Sequence, residues 1–223
     1  MSAECSRAAG RSSRPPCPTR WPAYLFAAAL TVSAITAIAA DAGEPTAEEL
    51  VQALLSGKAP VGGPFDLTDH TGQRRTDADF RGKLMLIYFG FTHCPDVCPT
   101  ELLAISVALE KLGRAGERVQ PLFITVDPER DTPAVLAEYV SSFHPRLVGL
   151  TGEPAAIKTV AHAYKTYFAR SAVTMGGSAD NYSVDHTGFI YVVGPDGRYR
   201  GFLPPQIAPD QIAEAVRPFL ESE

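Results

Sequence analysis

Two cysteines four residues apart are the part of this sequence with the clearest chemistry. They stand in Cys94-Pro95-Asp96-Val97-Cys98, between a run of apolar residues and a predicted helix. At a strand-to-helix junction, the free N–H groups and the dipole of the helix N-terminus lower the thiol pKa and favour the thiolate. A thiolate is both a nucleophile and a metal ligand. In helical geometry, residues four apart share one face, so the two sulfurs can bind one metal ion or form a disulfide.

A histidine far downstream helps to distinguish between these chemistries. His186 lies in Asp185-His186-Thr187-Gly188-Phe189, just before a predicted strand. In thioredoxin-type oxidoreductases, the corresponding position is usually a cis-proline that lies against the active-site cysteines. Thiolates favour Cu(I), and an added imidazole also allows Cu(II). A structural zinc site would normally use a fourth protein ligand, and none is evident in the sequence.

The residues around His186 are candidates to orient its ring. Asp185 and Tyr182 are placed to hydrogen-bond to the imidazole or near it, as outer carboxylates commonly do for histidine ligands. The alternative for Asp185 is a role in capping the loop turn. We expect the remaining histidines to lie outside the metal site: His70, His93, His144 and His162.

Predicted strands and helices would present the cysteine motif at one edge of a sheet. Apolar residues 83–91 predict a strand that is buried on both faces, and residues 100–113 have apolar side chains at helical spacing. A second buried strand is predicted at 119–126, followed by a helix from Asp131-Thr132-Pro133. The acidic segment 127–132 is expected to end the strand and cap this helix. The cysteines therefore lie at the first junction of a βαβ unit.

The remaining predicted strands and helices lie on both sides of this βαβ unit. The other predictions are a hairpin reversal at 69–72, a short strand at 147–150, a helix at 153–168, a hairpin of strands 189–193 and 199–203, and a helix at 209–220. A polar loop is expected before the strand at 189. We therefore expect an α/β protein with a thioredoxin-like fold, an N-terminal β-hairpin extension and an inserted helix.

Charge is unevenly distributed along the 223 residues. Residues 1–40 carry four arginines and a single glutamate, so residues 41–223 have 16 basic and 24 acidic side chains and a net charge of −8. Binding to a nucleic-acid backbone needs clustered lysines and arginines. We therefore expect no nucleic-acid partner.

The N-terminal region has the pattern of a membrane segment. Residues 22–40 are uncharged and rich in alanine, and the four arginines precede them. This pattern predicts a cytoplasmic tail at 1–21, a transmembrane anchor or uncleaved signal at 22–40, a linker at 41–60 and an exported domain at 61–223. The expected location is the bacterial inner membrane with the domain in the periplasm. The alternative is the mitochondrial inner membrane facing the intermembrane space.

Taken with further motifs, the cysteine and histidine segments give the sequence a family resemblance. These motifs are Gly-Pro-Phe-Asp-Leu at 63–67, Asp-Phe-Arg-Gly-Lys at 79–83, Val-Asp-Pro-Glu-Arg-Asp-Thr-Pro at 126–133 and Gly-Leu-Thr-Gly at 149–152. The chain resembles the Sco/SenC family of copper-binding, thioredoxin-like proteins that help to assemble cytochrome c oxidase. The resemblance implies that Cys94, Cys98 and His186 bind one copper ion per chain, as Cu(I) or Cu(II).

The resemblance also implies partners and leaves two main functions open. A metallochaperone would receive copper from an upstream donor and deliver it to the dinuclear copper centre of the oxidase's copper-site subunit. The alternative is a thiol-disulfide oxidoreductase that reduces the cysteines of that subunit and is itself served by a thiol reductant. An ordinary stabilising disulfide between Cys94 and Cys98 is a weaker interpretation. A peroxidase is also disfavoured, because no arginine or lysine lies beside the pair.

Overall fold

The structure, a computed structural model, describes residues 60–172 and 182–221. The predicted tail at 1–21, the predicted membrane segment at 22–40 and all but the last residue of the predicted linker lie outside the described residues. Within the described ranges, no helix is both long enough and apolar enough to cross a membrane.

The described residues form nine strands and four α-helices. The strands are β1 (Asp66–Asp69), β2 (Arg74–Thr76), β3 (Leu84–Gly90), β4 (Val119–Thr125), β5 (Val148–Thr151), β6 (Phe168–Ala172), β7 (Tyr182–His186), β8 (Ile190–Val193) and β9 (Tyr199–Leu203). The α-helices are α1 (Val97–Leu112), α2 (Pro133–Ser141), α3 (Pro154–Ala163) and α4 (Pro209–Glu221). Short 3-10 turns cover Asp77–Phe80 and Gly113–Arg118.

A seven-stranded sheet organises the core. Its strand order is β2-β1-β5-β4-β3-β8-β9, with β3, β4 and β5 parallel to one another and the outer strands antiparallel. Every residue of β3 and β4 is buried, as expected for central strands covered on both faces. Helix α1 packs against α4, and α2 packs against β5. The predicted βαβ unit and the N-terminal hairpin of β1 and β2 are both present.

Helix α1 begins earlier than the sequence indicates. The sequence predicted a helix over 100–113 with Pro99 suited to its first position, but the helix starts at Val97 and includes Cys98 in its first turn. Pro99 is compatible with this position because the first N–H groups of a helix have no partner within the helix. Cys98 is therefore fixed by helical geometry, whereas Cys94 precedes the helix.

Helix α3 ends five residues before the predicted boundary. The expected helix at 153–168 stops at Ala163, and Lys165 adopts a left-handed conformation with φ of 59°. The N–H of Thr166 bonds to the Ala161 carbonyl at 2.8 Å, and the N–H of Lys165 bonds to the His162 carbonyl at 3.0 Å. This is the hydrogen-bond pattern of a Schellman motif, which usually has glycine where Lys165 stands. Because no glycine marks the end of α3, the sequence predicted a helix that extends beyond Ala163.

The region expected to be a polar loop contains a two-stranded ribbon. Strands β6 and β7 pair antiparallel, with Phe168 opposite His186 and Ala172 opposite Tyr182. They form a sheet of their own, separate from the seven-stranded sheet. His186 is thus the last residue of a strand.

The centre of β3 should dominate the stability of the fold. Ile87 is fully buried and lies between Leu122 of β4 and Tyr191 of β8. Ile87→Ala should lower the free energy of unfolding by about 2 to 5 kcal/mol, because it removes apolar contacts and leaves a cavity. Chemical denaturation measures this loss. Leu103→Ala, at a side chain that is 57% exposed, should change stability by about 0.5 kcal/mol or less. Equal losses in the two variants would contradict this view of the core.

Candidate metal centre

Three potential ligands from separate parts of the chain meet at one point. Cys94 lies in the junction after β3, Cys98 in the first turn of α1, and His186 at the end of β7. One ligand atom from each of these residues lies within 4.8 Å of the other two. Cys98 is buried, whereas Cys94 and His186 are partly exposed. The site is therefore reachable from its Cys94 and His186 side.

Direct contacts join the three residues. The Cys98 backbone N–H donates to the Cys94 Sγ at 3.4 Å, and the His186 Nε2 lies 3.3 Å from the Cys98 Sγ. On the other side of the ring, the His186 Nδ1 lies 3.2 Å from the Thr187 carbonyl oxygen. Only an N–H can bond to a carbonyl, so this contact favours a proton on Nδ1. Nε2 then carries the lone pair that a metal ion would bind.

The pKa values of the two thiols are shifted in opposite directions. A hydrogen bond from the Cys98 thiol is the main cause that lowers the pKa of Cys94 to about 3, even though burial opposes the charge. The backbone N–H groups of Cys98 and Asp96 act in the same direction. The same bond, together with burial, raises the pKa of Cys98 well above its ordinary value. The pair therefore carries one thiolate, at Cys94, and one thiol, at Cys98.

The Cys98 sulfur occupies a space that a larger residue at position 90 would fill. A Cβ on Gly90 would come within 2.8 Å of the Cys98 Sγ and 2.9 Å of the Phe123 ring. The Tyr88 hydroxyl donates to the same sulfur at 3.8 Å. Sequence reasoning missed both Tyr88 and Gly90. Both residues lie at the end of the strand that precedes the cysteines, and this position could have identified them as neighbours of the site.

Two aromatic rings pack against the imidazole. The edges of Tyr88 and Phe91 meet the His186 ring with centroid distances of 6.1 and 5.9 Å and near-perpendicular planes. Together with Cys94, the ring borders a pocket of about 450 Å³ whose apolar lining includes Phe91, Pro95, Val97, Val184 and Pro205. These contacts limit the rotation of His186 and surround the ligands with apolar surface.

The structure does not bring Asp185 and Tyr182 to the imidazole in the way the sequence suggested. Asp185 is exposed and lines the same pocket as His186. The Tyr182 hydroxyl donates to the Asp127 carboxylate at 2.6 Å. Among the described residues, neither side chain hydrogen-bonds to His186. The Thr187 carbonyl takes the place that Asp185 was expected to have.

The other histidines lie elsewhere among the described residues. His93 is exposed and contacts the Thr92 hydroxyl at 3.0 Å. The His70 ring accepts from the Gly149 N–H at 3.2 Å, and the His144 ring accepts from the Arg146 N–H at 3.1 Å. His162 is exposed on α3.

The acidic segment after β4 does more than cap a helix. Thr132 is the cap of α2, since its hydroxyl accepts from the Val135 N–H at 3.4 Å. Asp131 is fully buried and accepts instead from the Thr92 N–H at 3.0 Å and from the hydroxyls of Thr92 and Thr125 at 2.6 and 2.5 Å. It thereby ties the segment before Cys94 to the end of β4. The segment thus caps α2 as expected, through Thr132, while Asp131 bonds to the donors that surround its buried carboxylate.

The acidity of Cys94 gives a direct test of this geometry. Iodoacetamide reacts with thiolates, so at about pH 5 it should alkylate Cys94 at least about tenfold faster than Cys98. Cys98→Ala removes the main hydrogen-bond donor, so the pKa of Cys94 should rise and alkylation at this pH should slow. Mass spectrometry of the reduced protein reads out both rates. Tyr88→Phe, which removes a donor to Cys98 only, is the control. Similar alkylation of both cysteines would show that the thiolate is not localised.

Comparison with known proteins agrees with the geometry. A family model described as SCO1/SenC matches residues 54–221. The human protein named "Protein SCO1 homolog, mitochondrial" is 43% identical over 162 residues, which cover 72% of this chain and 53% of that protein. The chain spans 53% to 60% of the length of this and two other curated relatives, fish and bovine SCO2 homologues.

Solved structures match over nearly their whole length. Bradyrhizobium japonicum ScoI with copper bound is 43% identical, with a TM-score of 0.65, over 71% of this chain and 99% of that chain. Yeast Sco1 with copper bound is 38% identical, with a TM-score of 0.67, over 74% and 91% of the two chains. The thioredoxin-like α/β fold expected from the sequence is confirmed. The motifs, the fold and these matches agree, and the chain belongs to the SCO1/SenC family.

Proposed function

We propose that this protein binds one copper ion through Cys94, Cys98 and His186 and delivers it to the dinuclear copper centre of cytochrome c oxidase during its assembly. The observation that carries the proposal is the convergence of two sulfurs and one imidazole nitrogen within 4.8 Å. These atoms come from a helix, a loop and a separate ribbon, and the fold brings them together at a partly exposed pocket.

The donor set suits copper better than the common alternatives. Two sulfurs and one nitrogen match Cu(I) through the thiolates and Cu(II) once the imidazole joins them. A structural zinc site would need a fourth ligand, and among the described residues this cluster of histidine, cysteine and acidic side chains has three members. Copper is bound in the related Bradyrhizobium japonicum and yeast structures, which supports the same cargo here.

The thiol pair suggests how copper would be loaded. Cys94 is already a thiolate and partly exposed, so it would make the first bond. Cys98 must lose its proton to become the second ligand, so copper binding should release about one proton per ion. Nε2 of His186 is free to accept the metal as it stands. Three ligands leave copper open on the exposed side, where the ligands of a recipient protein could replace those of the donor.

The identity of the recipient and the location rest on the family. We propose the copper-site subunit of the oxidase as recipient, with an upstream protein as copper donor. The predicted anchor at 22–40 and linker at 41–60 would hold the domain at 61–223 near the membrane where that subunit resides. This places the site in the bacterial periplasm or, as the alternative, in the mitochondrial intermembrane space.

A second candidate function, thiol-disulfide exchange, is favoured by the unequal acidity of the two cysteines. The Cys94 thiolate would attack a disulfide of the oxidase subunit, forming a mixed disulfide and releasing one thiolate of that subunit. Cys98, once deprotonated, would then displace the second one and close a Cys94–Cys98 disulfide. The recipient gains two electrons, and an external thiol reductant must restore the pair. Such a reaction could prepare the recipient's cysteines for copper.

Removal of the imidazole separates the two functions. The reduced wild-type domain should bind one Cu(II) per chain, with a thiolate-to-copper charge-transfer band in the absorption spectrum. His186→Ala should abolish tight Cu(II) binding while leaving exchange with a model disulfide within about threefold of the wild type. His93→Ala, which removes an exposed histidine beside Cys94, is the matched control and should retain the band.

The same variants in cells test the delivery step. His186→Ala should impair oxidase assembly in a strain without the wild-type protein, and His93→Ala should support it. Normal assembly with His186→Ala, but not with Cys94→Ser, would contradict copper delivery and favour thiol exchange.

A further inference from the structure

The ribbon of β6 and β7 carries His186 but belongs to a sheet of its own. His186 stands at one end of β7 and Tyr182 at the other, on the same face of the strand because they are four residues apart. At about 3.3 Å per residue, the two ends are about 13 Å apart. The position of the imidazole therefore depends on what holds the ribbon at the Tyr182 end.

Arg130 holds that end of the ribbon from the loop after β4. Its guanidinium lies over the Tyr182 ring, 3.7 Å from the ring centroid, and its Nη1 donates to the Tyr182 carbonyl at 3.0 Å. Its Nε donates to the Asp127 carboxylate. The other Asp127 oxygen accepts from the Tyr182 hydroxyl at 2.6 Å. These three residues form a closed ring of contacts, which we call the Arg130 clamp.

The two charged side chains of the clamp are shielded from solvent. The Asp127 side chain has no exposed surface, and that of Arg130 is 18% exposed. Charged contacts in such a place are screened much less than surface pairs. Arg170 of β6 also approaches the Tyr182 ring, at 4.7 Å to the centroid, and the Asp127 carboxylate, at 3.9 Å. It is 49% exposed, however, and its closest partner is the exposed Glu129 at 2.7 Å. Arg130 is thus the main buried cation that holds the ribbon.

Arg130 also reaches toward the imidazole through one aromatic ring. Its guanidinium carbon is 5.8 Å from the centroid of Phe91, and the Phe91 ring meets His186 edge-on. Arg130 therefore contacts both the strand that carries His186 and the ring that packs against it. It contacts neither cysteine among the described residues.

We propose that Arg130 is a positioning residue for His186, which it holds where the ring can serve as the third copper ligand. The proposal rests on the copper site proposed above. Its consequence depends on the oxidation state of copper. Two thiolates are sufficient ligands for Cu(I), whereas Cu(II) gains from the imidazole. Loss of the clamp should therefore weaken Cu(II) binding and leave Cu(I) binding nearly unchanged.

The test compares Arg130→Gln with Arg170→Gln in the reduced protein. Competition with chromophoric chelators measures the affinity for Cu(I) and Cu(II) separately. Arg130→Gln should weaken Cu(II) binding about 10- to 100-fold, the usual effect of losing a residue that orients a metal ligand. Its Cu(I) affinity should stay within about threefold of the wild type, because no cysteine contact is lost. Arg170→Gln, the matched control on the same aromatic ring, should change either affinity by no more than about threefold.

Two further measurements separate positioning from general damage. In the Arg130→Gln complex, the nitrogen hyperfine coupling in the Cu(II) spin-resonance spectrum should weaken, because the imidazole is no longer held. Arg130→Lys keeps the charge but not the planar, forked guanidinium, so it should recover Cu(II) affinity only in part. Full recovery by lysine would overturn the role of the guanidinium geometry.

Other outcomes decide the proposal as well. Equal weakening of Cu(I) and Cu(II) binding, or no change in Arg130→Gln, would overturn it. If Arg130→Gln fails to fold, Tyr182→Leu decides by the same comparison, since it removes the ring and hydroxyl but leaves the Asp127–Arg130 pair intact. Failure of the wild-type protein to bind copper would instead refute the proposed function, so the two failures are distinguishable.

Discussion

The sulfur of Cys98 is the atom on which the geometry of the site depends. It hydrogen-bonds with Cys94, lies 3.3 Å from the His186 Nε2 and accepts from the Tyr88 hydroxyl. It fits only because Gly90 has no Cβ at the end of β3. The central strands of the sheet and the first turn of α1 therefore determine where a metal ion could bind. A sulfur on a loop alone would not be held in this way.

The unequal protonation of the two thiols explains why the site suits both copper binding and disulfide exchange. A thiolate at Cys94 is a ready ligand and a ready nucleophile, and a buried thiol at Cys98 can become the second ligand or the resolving thiol. The thioredoxin-like framework accommodates either use. His186 makes the difference, because an imidazole contributes a ligand for copper and is not required for exchange between thiols. The choice of function thus depends on a strand that lies outside the main sheet.

Local patterns predicted the parts of the site that are encoded locally. The apolar run before Cys94, the helix after it and the unusual place of His186 were all visible in the sequence, and the central strands appear within two residues of their expected bounds. The ribbon was not predicted because Lys165 ends α3 in a left-handed conformation, and such an end is recognised in a sequence by a glycine. The roles of Asp127, Asp131 and Arg130 could not be predicted, since each depends on partners such as Thr92 and Tyr182 that lie far away in the sequence. Buried polar contacts between distant segments leave no periodic pattern.

X-ray absorption at the copper edge tests the central claim most directly. The reduced wild-type protein, loaded with one equivalent of Cu(II) and kept free of excess metal, should give a first coordination shell with two sulfur atoms and at least one imidazole nitrogen. The multiple scattering typical of a histidine ring should accompany that nitrogen. A first shell of nitrogen and oxygen atoms alone would contradict the account, because copper would then be bound away from Cys94 and Cys98.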